Sequence, residues 1–179
     1  MSSKEIKARI GELLSAGSRK AEVFDQLRGQ GLKDARLALL IAGHPDPQRC
    51  REHAGKVRAL IAVMLVQSAL AFLLGYAMGS VVSPKAAWLS ALFLALIPLL
   101  FAWGFRKHRV GYYNAYIILS IAQFAQSFRG FAANPVGSSI GIAIGLGLIA
   151  WVWYVRDKIF PGFVFVAPRQ AKGKYLFVD

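Results

Sequence analysis

Three side chains with metal-ligand chemistry crowd one short stretch of the sequence, where His44, Asp46 and His53 flank a single turn with Cys50 between them. Two imidazoles and a carboxylate can in principle meet a divalent cation. Asp46 followed by Pro47 already has a sufficient role, however, as the cap and first-turn pair of a helix. Cys50 is the one cysteine of the chain, which excludes an intramolecular disulfide, and its place beside Arg49 and Arg51 fits a reduced, partly buried thiol. No HExxH, CxxC, GxSxG or P-loop spacing occurs, and no pair of carboxylates shares a site near the apolar region. The sequence therefore predicts no catalytic, cofactor or metal site, and a protein that is not an enzyme.

The more informative pattern is polar. Tyr112, Tyr116, Ser120, Gln123 and Ser127 follow one another at intervals of four, four, three and four, which keeps them on one side of a helix, with Tyr113 and Gln126 at the margins. They lie inside an apolar stretch, so the face they form needs partners: other helices, a second copy, or a solute path. Gln67 and Ser68 are the candidate partners. No Asp, Glu, Lys, Arg or His falls in the core of such a stretch, which argues against a pump or proton-coupled carrier. Gly137, Gly141 and Gly145 form a second face, a small-xxx-small repeat that lets helix backbones approach closely, within the chain or between copies. A third set, Arg106, Lys107, Arg109, Arg156 and Lys158, is basic and suits anionic lipid headgroups.

Charge distribution defines the elements that must hold these residues. The chain has 179 residues, 56% of them hydrophobic, and a net charge of +13. From Ala59 to Val155 there is no Asp or Glu, and Lys85, the cluster Arg106, Lys107 and Arg109, and Arg129 cut this region into four uncharged stretches. Each is about as long as the helix needed to span some 30 Å of hydrocarbon. The expected spans are 59–79, 86–105, 112–128 and 136–155. With the amino terminus inside, 20 of the 22 basic residues lie in cytoplasmic segments, so both termini are expected in the cytoplasm of a bacterial-type inner membrane. No cleavable signal is visible before the first span. Trp103, Tyr112, Tyr113, Trp151, Trp153 and Tyr154 then fall near the inner boundary, and Trp88 and Phe131 near the outer one.

Residues 1–45 read as a cytoplasmic three-helix domain. Ser2-x-x-Glu5 is a capping box, Ile6, Ile10, Leu13 and Leu14 form a stripe, and Gly17 stops the helix. Ser18 is placed to cap a second helix carrying Val23, Phe24 and Leu27, and a third runs from Leu32 to about Ala42. The third is so apolar over Leu37 to Ala42 that it should rest on the membrane-embedded part or on a partner. The pattern superficially resembles a helix-turn-helix unit, with Lys33 and Arg36 on the third helix. That helix is too apolar to read a major groove, and nucleic acid is not an expected partner. Residues 46–58 should form a juxtamembrane helix continuing into the first span, with Gly55 as its weakest point. In the basic tail, 156–179, Phe163 to Ala167 and Tyr175 to Val178 predict a β-hairpin.

The expected fold is therefore all-α: a bundle of four transmembrane helices, a cytoplasmic helical domain and a short basic tail. The expected function is protein–protein interaction, as an assembly factor, regulator or immunity-type protein with a partner at residues 1–45, alone or as a homo-oligomer. The alternative is a small oligomeric channel or carrier for a neutral solute or ion along the polar face of the third span.

Overall fold

The computed structural model describes residues 2–127, 135–164, 167–171 and 174–177, with side chains omitted for 124–127. Helix accounts for 78% of the described residues. Eight helices and one small hairpin occur among the described residues, in two compact units: Met1–Arg51 with Arg156–Asp179, and Glu52–Val155.

In the first unit, helix α1 (Ser3–Ser15) opens on the predicted capping box. The Glu5 N–H donates to Ser2 Oγ at 3.3 Å, and the Ser2 N–H donates to Glu5 Oε2 at 2.9 Å. The helix ends in a Schellman turn, with Ser18 N–H bonded to Leu13 O and Gly17 N–H to Leu14 O, and Gly17 takes the required positive φ of 91°. Ser18 does not take the capping role expected of it. Helix α2 (Lys20–Leu27) is capped instead at Arg19, whose N–H donates to Glu22 at 3.2 Å. Helix α3 (Asp34–Ala42) starts two residues later than expected, and the ion pair Arg28–Asp34 at 2.8 Å spans its approach.

The three helices bury Ile6, Ile10, Val23, Phe24, Leu27, Leu37, Ala38 and Ile41 in one core. The carboxy-terminal segment covers what α1 and α2 cannot. Tyr175 and Phe177 each place a ring 5.4 Å from Phe24, and Gly162 stands against Ala42. The apolar excess of α3 is thus largely absorbed within this unit, leaving Leu39 exposed.

The tail hairpin pairs β1 (Gln170–Ala171) with β2 (Lys174–Tyr175), and Phe163 makes only an isolated bridge to Pro168. Among the described residues of the expected runs 163–167 and 175–178 no pairing occurs, and the Val164 N–H instead donates to Ala167 O within its own segment; Phe165, Val166 and Val178 lie outside the described residues. Helix α4 (Pro47–Glu52) opens at Asp46, whose Oδ1 accepts the Gln48 N–H at 2.8 Å. It ends at His53, where φ is −105° and ψ 11°, so the helix expected to run from 46 into the first span is broken two residues before Gly55.

The second unit contains α5 (Ala54–Ser80), α6 (Pro84–Arg106), α7 (Val110–Ser127) and most of α8 (Pro135–Ile159). Helices α5, α6 and α8 are long and apolar enough to cross a membrane, with mean hydropathy of 2.2, 2.1 and 1.8 over their most apolar windows. Helix α7 is not among them, because its polar stripe and Asn114 dilute it. Helices α5 and α6 pack closely as an antiparallel pair, and α7 packs on α6. Helix α8 has Val136, Ile140, Ile144 and Leu146 exposed. Among the described residues α5 and α6 form a packed helical hairpin, and α7 and α8 are less enclosed.

Candidate functional site

The α5–α6 pair is the scaffold. A Cβ on Gly75 would stand 2.8 Å from Ala91 Cα, and Gly79 leaves no room for a side chain against Ala87. Ala87, Ala91 and Ala95 are buried on the facing side, so small residues at intervals of four on both helices set the contact. Two serines fasten it. Ser90 Oγ donates to Gly75 O at 2.6 Å, with the Ala86 carbonyl at 2.7 Å as an alternative acceptor, and Ser68 Oγ donates to Ala95 O at 3.0 Å. Ser68, read from sequence as a partner for the third span, is therefore used by α6.

The small-residue face expected on α8 is placed differently. Gly137 and Gly141 are exposed, Gly145 is half-buried, and a Cβ on Gly141 would meet nothing within 4 Å among the described residues. The close approach lies at Gly75-x-x-x-Gly79, a spacing readable in the sequence but outweighed there by the longer glycine series of α8.

The polar face of α7 divides in two. Tyr112 lies over Gly104, its ring 5.7 Å from that of Trp103, and Tyr113 is buried 4.5 Å from the ring of Phe105. These two anchor the start of α7 to the end of α6. One, two and three turns on, Tyr116, Ser120 and Gln123 line a groove of about 450 Å³ shared with α5 and α6. Gln67 of α5, named from sequence as a candidate partner, lines the same groove as these three residues singled out by periodicity. Ser127 lies at the end of α7, outside the described side chains.

The Tyr116 ring packs edge-on against Phe101 at 5.3 Å, which fixes the tyrosine at one wall. Leu94 and Pro98 form another, where proline has no N–H to return to the Leu94 carbonyl. Among the described residues no charged side chain lines the groove. It offers two amides, a hydroxyl and a phenol among leucine, isoleucine and methionine walls, which suits a neutral occupant able to form hydrogen bonds.

Arg106, Lys107 and Arg109 are exposed at the α6–α7 turn, and the Arg109 guanidinium stands 5.0 Å from the Trp103 ring. Lys56, near the start of α5, lies 4.7 Å over the Tyr154 ring and donates to its hydroxyl at 2.9 Å. Lys158 is exposed. Arg156 departs from expectation: it is 1% exposed, bonded to Asp157 Oδ1 at 2.9 Å and 5.7 Å from the Phe163 ring. Its side chain is enclosed beside Phe163 rather than exposed.

Among the described residues no three His, Cys, Asp or Glu side chains gather to hold a metal ion. His44 and Asp46 belong to the first unit and His53 to the second. Burial, and then the charge of Asp46, push the Cys50 thiol above its ordinary pKa, which disfavours the reactive thiolate. His108, in the turn between α6 and α7, holds a positive φ of 47°, and burial lowers its pKa.

Fold and groove thus define a mostly helical protein with three helices compatible with membrane insertion. No protein-family model, curated protein or solved structure matches the chain.

Proposed function

We propose that this protein is a non-enzymatic component of a bacterial-type inner membrane that presents a cytoplasmic helical unit for protein–protein interaction. The observation that carries the reading is the composition of the first unit, which both ends of the chain build together. Two segments that share a core lie on one side of a membrane, so the chain between them crosses an even number of times. Three helices in that interval are apolar enough to cross. Helix α7 then supplies the fourth crossing, with Tyr116 buried and Ser120 half-buried on its polar stripe and Gln123 exposed at the groove. The excess of Lys and Arg in the two end segments supports the cytoplasmic side for the unit.

The test is purification of the full chain in native nanodiscs, followed by mass spectrometry of everything that accompanies it. A stoichiometric protein partner that is lost when residues 2–45 are deleted supports the interaction reading. Absence of any such partner, with no phenotype from that deletion, counts decisively against it.

The convergence of Gln67, Tyr116, Ser120 and Gln123 on one uncharged groove favours a second reading, a passive path or binding site for a neutral solute within a small oligomer. Under it, a partner-free homo-oligomer would be purified, and Gln123→Leu would abolish flux while leaving insertion intact.

A further inference from the structure

Helix α6 ends on a cluster of charge that its own unit does not balance. Glu52, at the first position of the second unit, is the only acid there, and no Asp or Glu follows it before Asp157. Arg106, Lys107 and Arg109 are all exposed, and among the described residues no carboxylate forms an ion pair with any of them. Arg156, expected from sequence to act with them, is enclosed and bonded to Asp157 instead.

The backbone explains how three cations crowd so short a segment. The Arg109 N–H donates to Gly104 O at 3.2 Å and the His108 N–H to Phe105 O at 3.0 Å, a Schellman turn with His108 at the left-handed position. The chain therefore reverses within two residues, and α7 begins at Val110. His108 adds little to the outer surface: its Nδ1 is buried with no hydrogen-bond partner among the described residues, and burial lowers its pKa. The charge of the turn rests on two guanidinium groups and one ammonium, which stay protonated at neutral pH.

Trp103 supplies the other half of the surface. Its ring is 44% exposed, with the Arg109 guanidinium at 5.0 Å and the Tyr112 ring at 5.7 Å. Helix α6 is long and apolar enough to cross a membrane, and Trp103 lies one turn from its end. An exposed indole holding a cation at that position suits the headgroup layer, where amphipathic rings and basic side chains collect. Arg109 also stands just before α7, where an acceptor side chain would ordinarily take up the first N–H groups of a helix. Arginine cannot accept, so those donors add to the positive potential of the turn.

We propose that the α6–α7 turn binds one anionic phospholipid, its phosphate held by Arg106, Lys107 and Arg109 and its ester region against Trp103. A lipid rather than a free phosphate is the occupant because the cations stand at the end of a helix of spanning length beside an exposed indole. The site rests on the membrane reading above and is independent of any protein partner.

The full chain, purified in a mild detergent, is offered equal amounts of dioleoyl phosphatidylglycerol and dioleoyl phosphatidylcholine, and retained lipid is counted by native mass spectrometry. One phosphatidylglycerol per chain is expected, preferred about tenfold or more over phosphatidylcholine. Lys107→Gln and Arg109→Gln should each cut the preference about fivefold, since one cation near an anionic surface contributes on that order. Lys85→Gln, which removes an exposed cation at the opposite end of α6, should leave it unchanged. All three side chains are exposed, so these variants keep the packing of the wild type.

Equal retention of the two lipids, or a preference that survives in both Lys107→Gln and Arg109→Gln, overturns the proposal. Displacement of the lipid by an equimolar amount of glycerol 3-phosphate would assign a soluble ligand and overturn it as well. A chain that stays in solution without detergent would overturn the membrane reading and this site together.

Discussion

At the scale of single residues, the reciprocal bonds of Ser2 and Glu5 carry a pH signature. The Ser2 backbone N–H, and then its hydroxyl, hold the Glu5 carboxyl below the ordinary glutamate value. A carboxyl whose pKa is lower folded than unfolded contributes its stability above the unfolded pKa and loses it as pH falls through the folded one. A carboxyl-carbon NMR titration should therefore place Glu5 below the ordinary glutamate value, and Ser2→Ala should raise it. The same substitution should cost the first unit about 1 kcal/mol in denaturant melts. For Cys50, whose thiol is raised by burial, alkylation by iodoacetamide at neutral pH should be slow in the native protein and accelerate on unfolding. Fast native modification would place the thiol at the surface.

At the scale of elements, two glycine series of equal spacing have different consequences. Gly75 faces the backbone of Ser90 and Ala91, so Gly75→Val must separate α5 from α6, at a cost of about 1–3 kcal/mol or more. Gly141 meets nothing within 4 Å among the described residues, and Gly141→Val should leave the monomer's stability within about 0.5 kcal/mol of wild type. Resistance to unfolding in mixed detergent micelles compares the two directly. A large loss in Gly141→Val alone would show that α8, not α5, bears the critical contact. Ser90→Ala should cost only about 0.6 kcal/mol, as polar contacts between helices in bilayers typically do.

At the scale of the whole molecule, the packing of the tail on the helical core supports the even number of crossings that we propose. Phe24 is 7% exposed and carries the rings of Tyr175 and Phe177. Phe24→Ala should destabilise the first unit by about 3–5 kcal/mol and raise amide exchange in 170–177 together with that of α2 and α3. Exchange rising in α2 and α3 alone would mean that the tail does not depend on that core. The topology has its own check. In a Cys50→Ser background, Lys85→Cys should be labelled by a membrane-impermeant maleimide added outside intact cells, whereas Lys107→Cys should not.

The helices themselves were readable from local chemistry. Capping at Ser2, the stop at Gly17, the apolar stripe of α1 and the uncharged lengths of α5, α6 and α8 depend on near neighbours in the chain and on length, which a sequence displays directly. The grouping of Tyr116, Ser120, Gln123 and Gln67 was also foreshadowed, since helical period determines a face. What faces what was decided by tertiary structure. Sequence alone could not choose between the glycines of α5 and those of α8, because the choice depends on which partner presents matching small residues, and Ala87, Ala91 and Ala95 lie on α6. Nor could it place Arg156 in a core beside Phe163, or bring Tyr175 and Phe177 onto Phe24, about 150 residues away along the chain. Burial is a property of the assembled surface, and only the folded chain shows which charge is enclosed and which apolar face is covered.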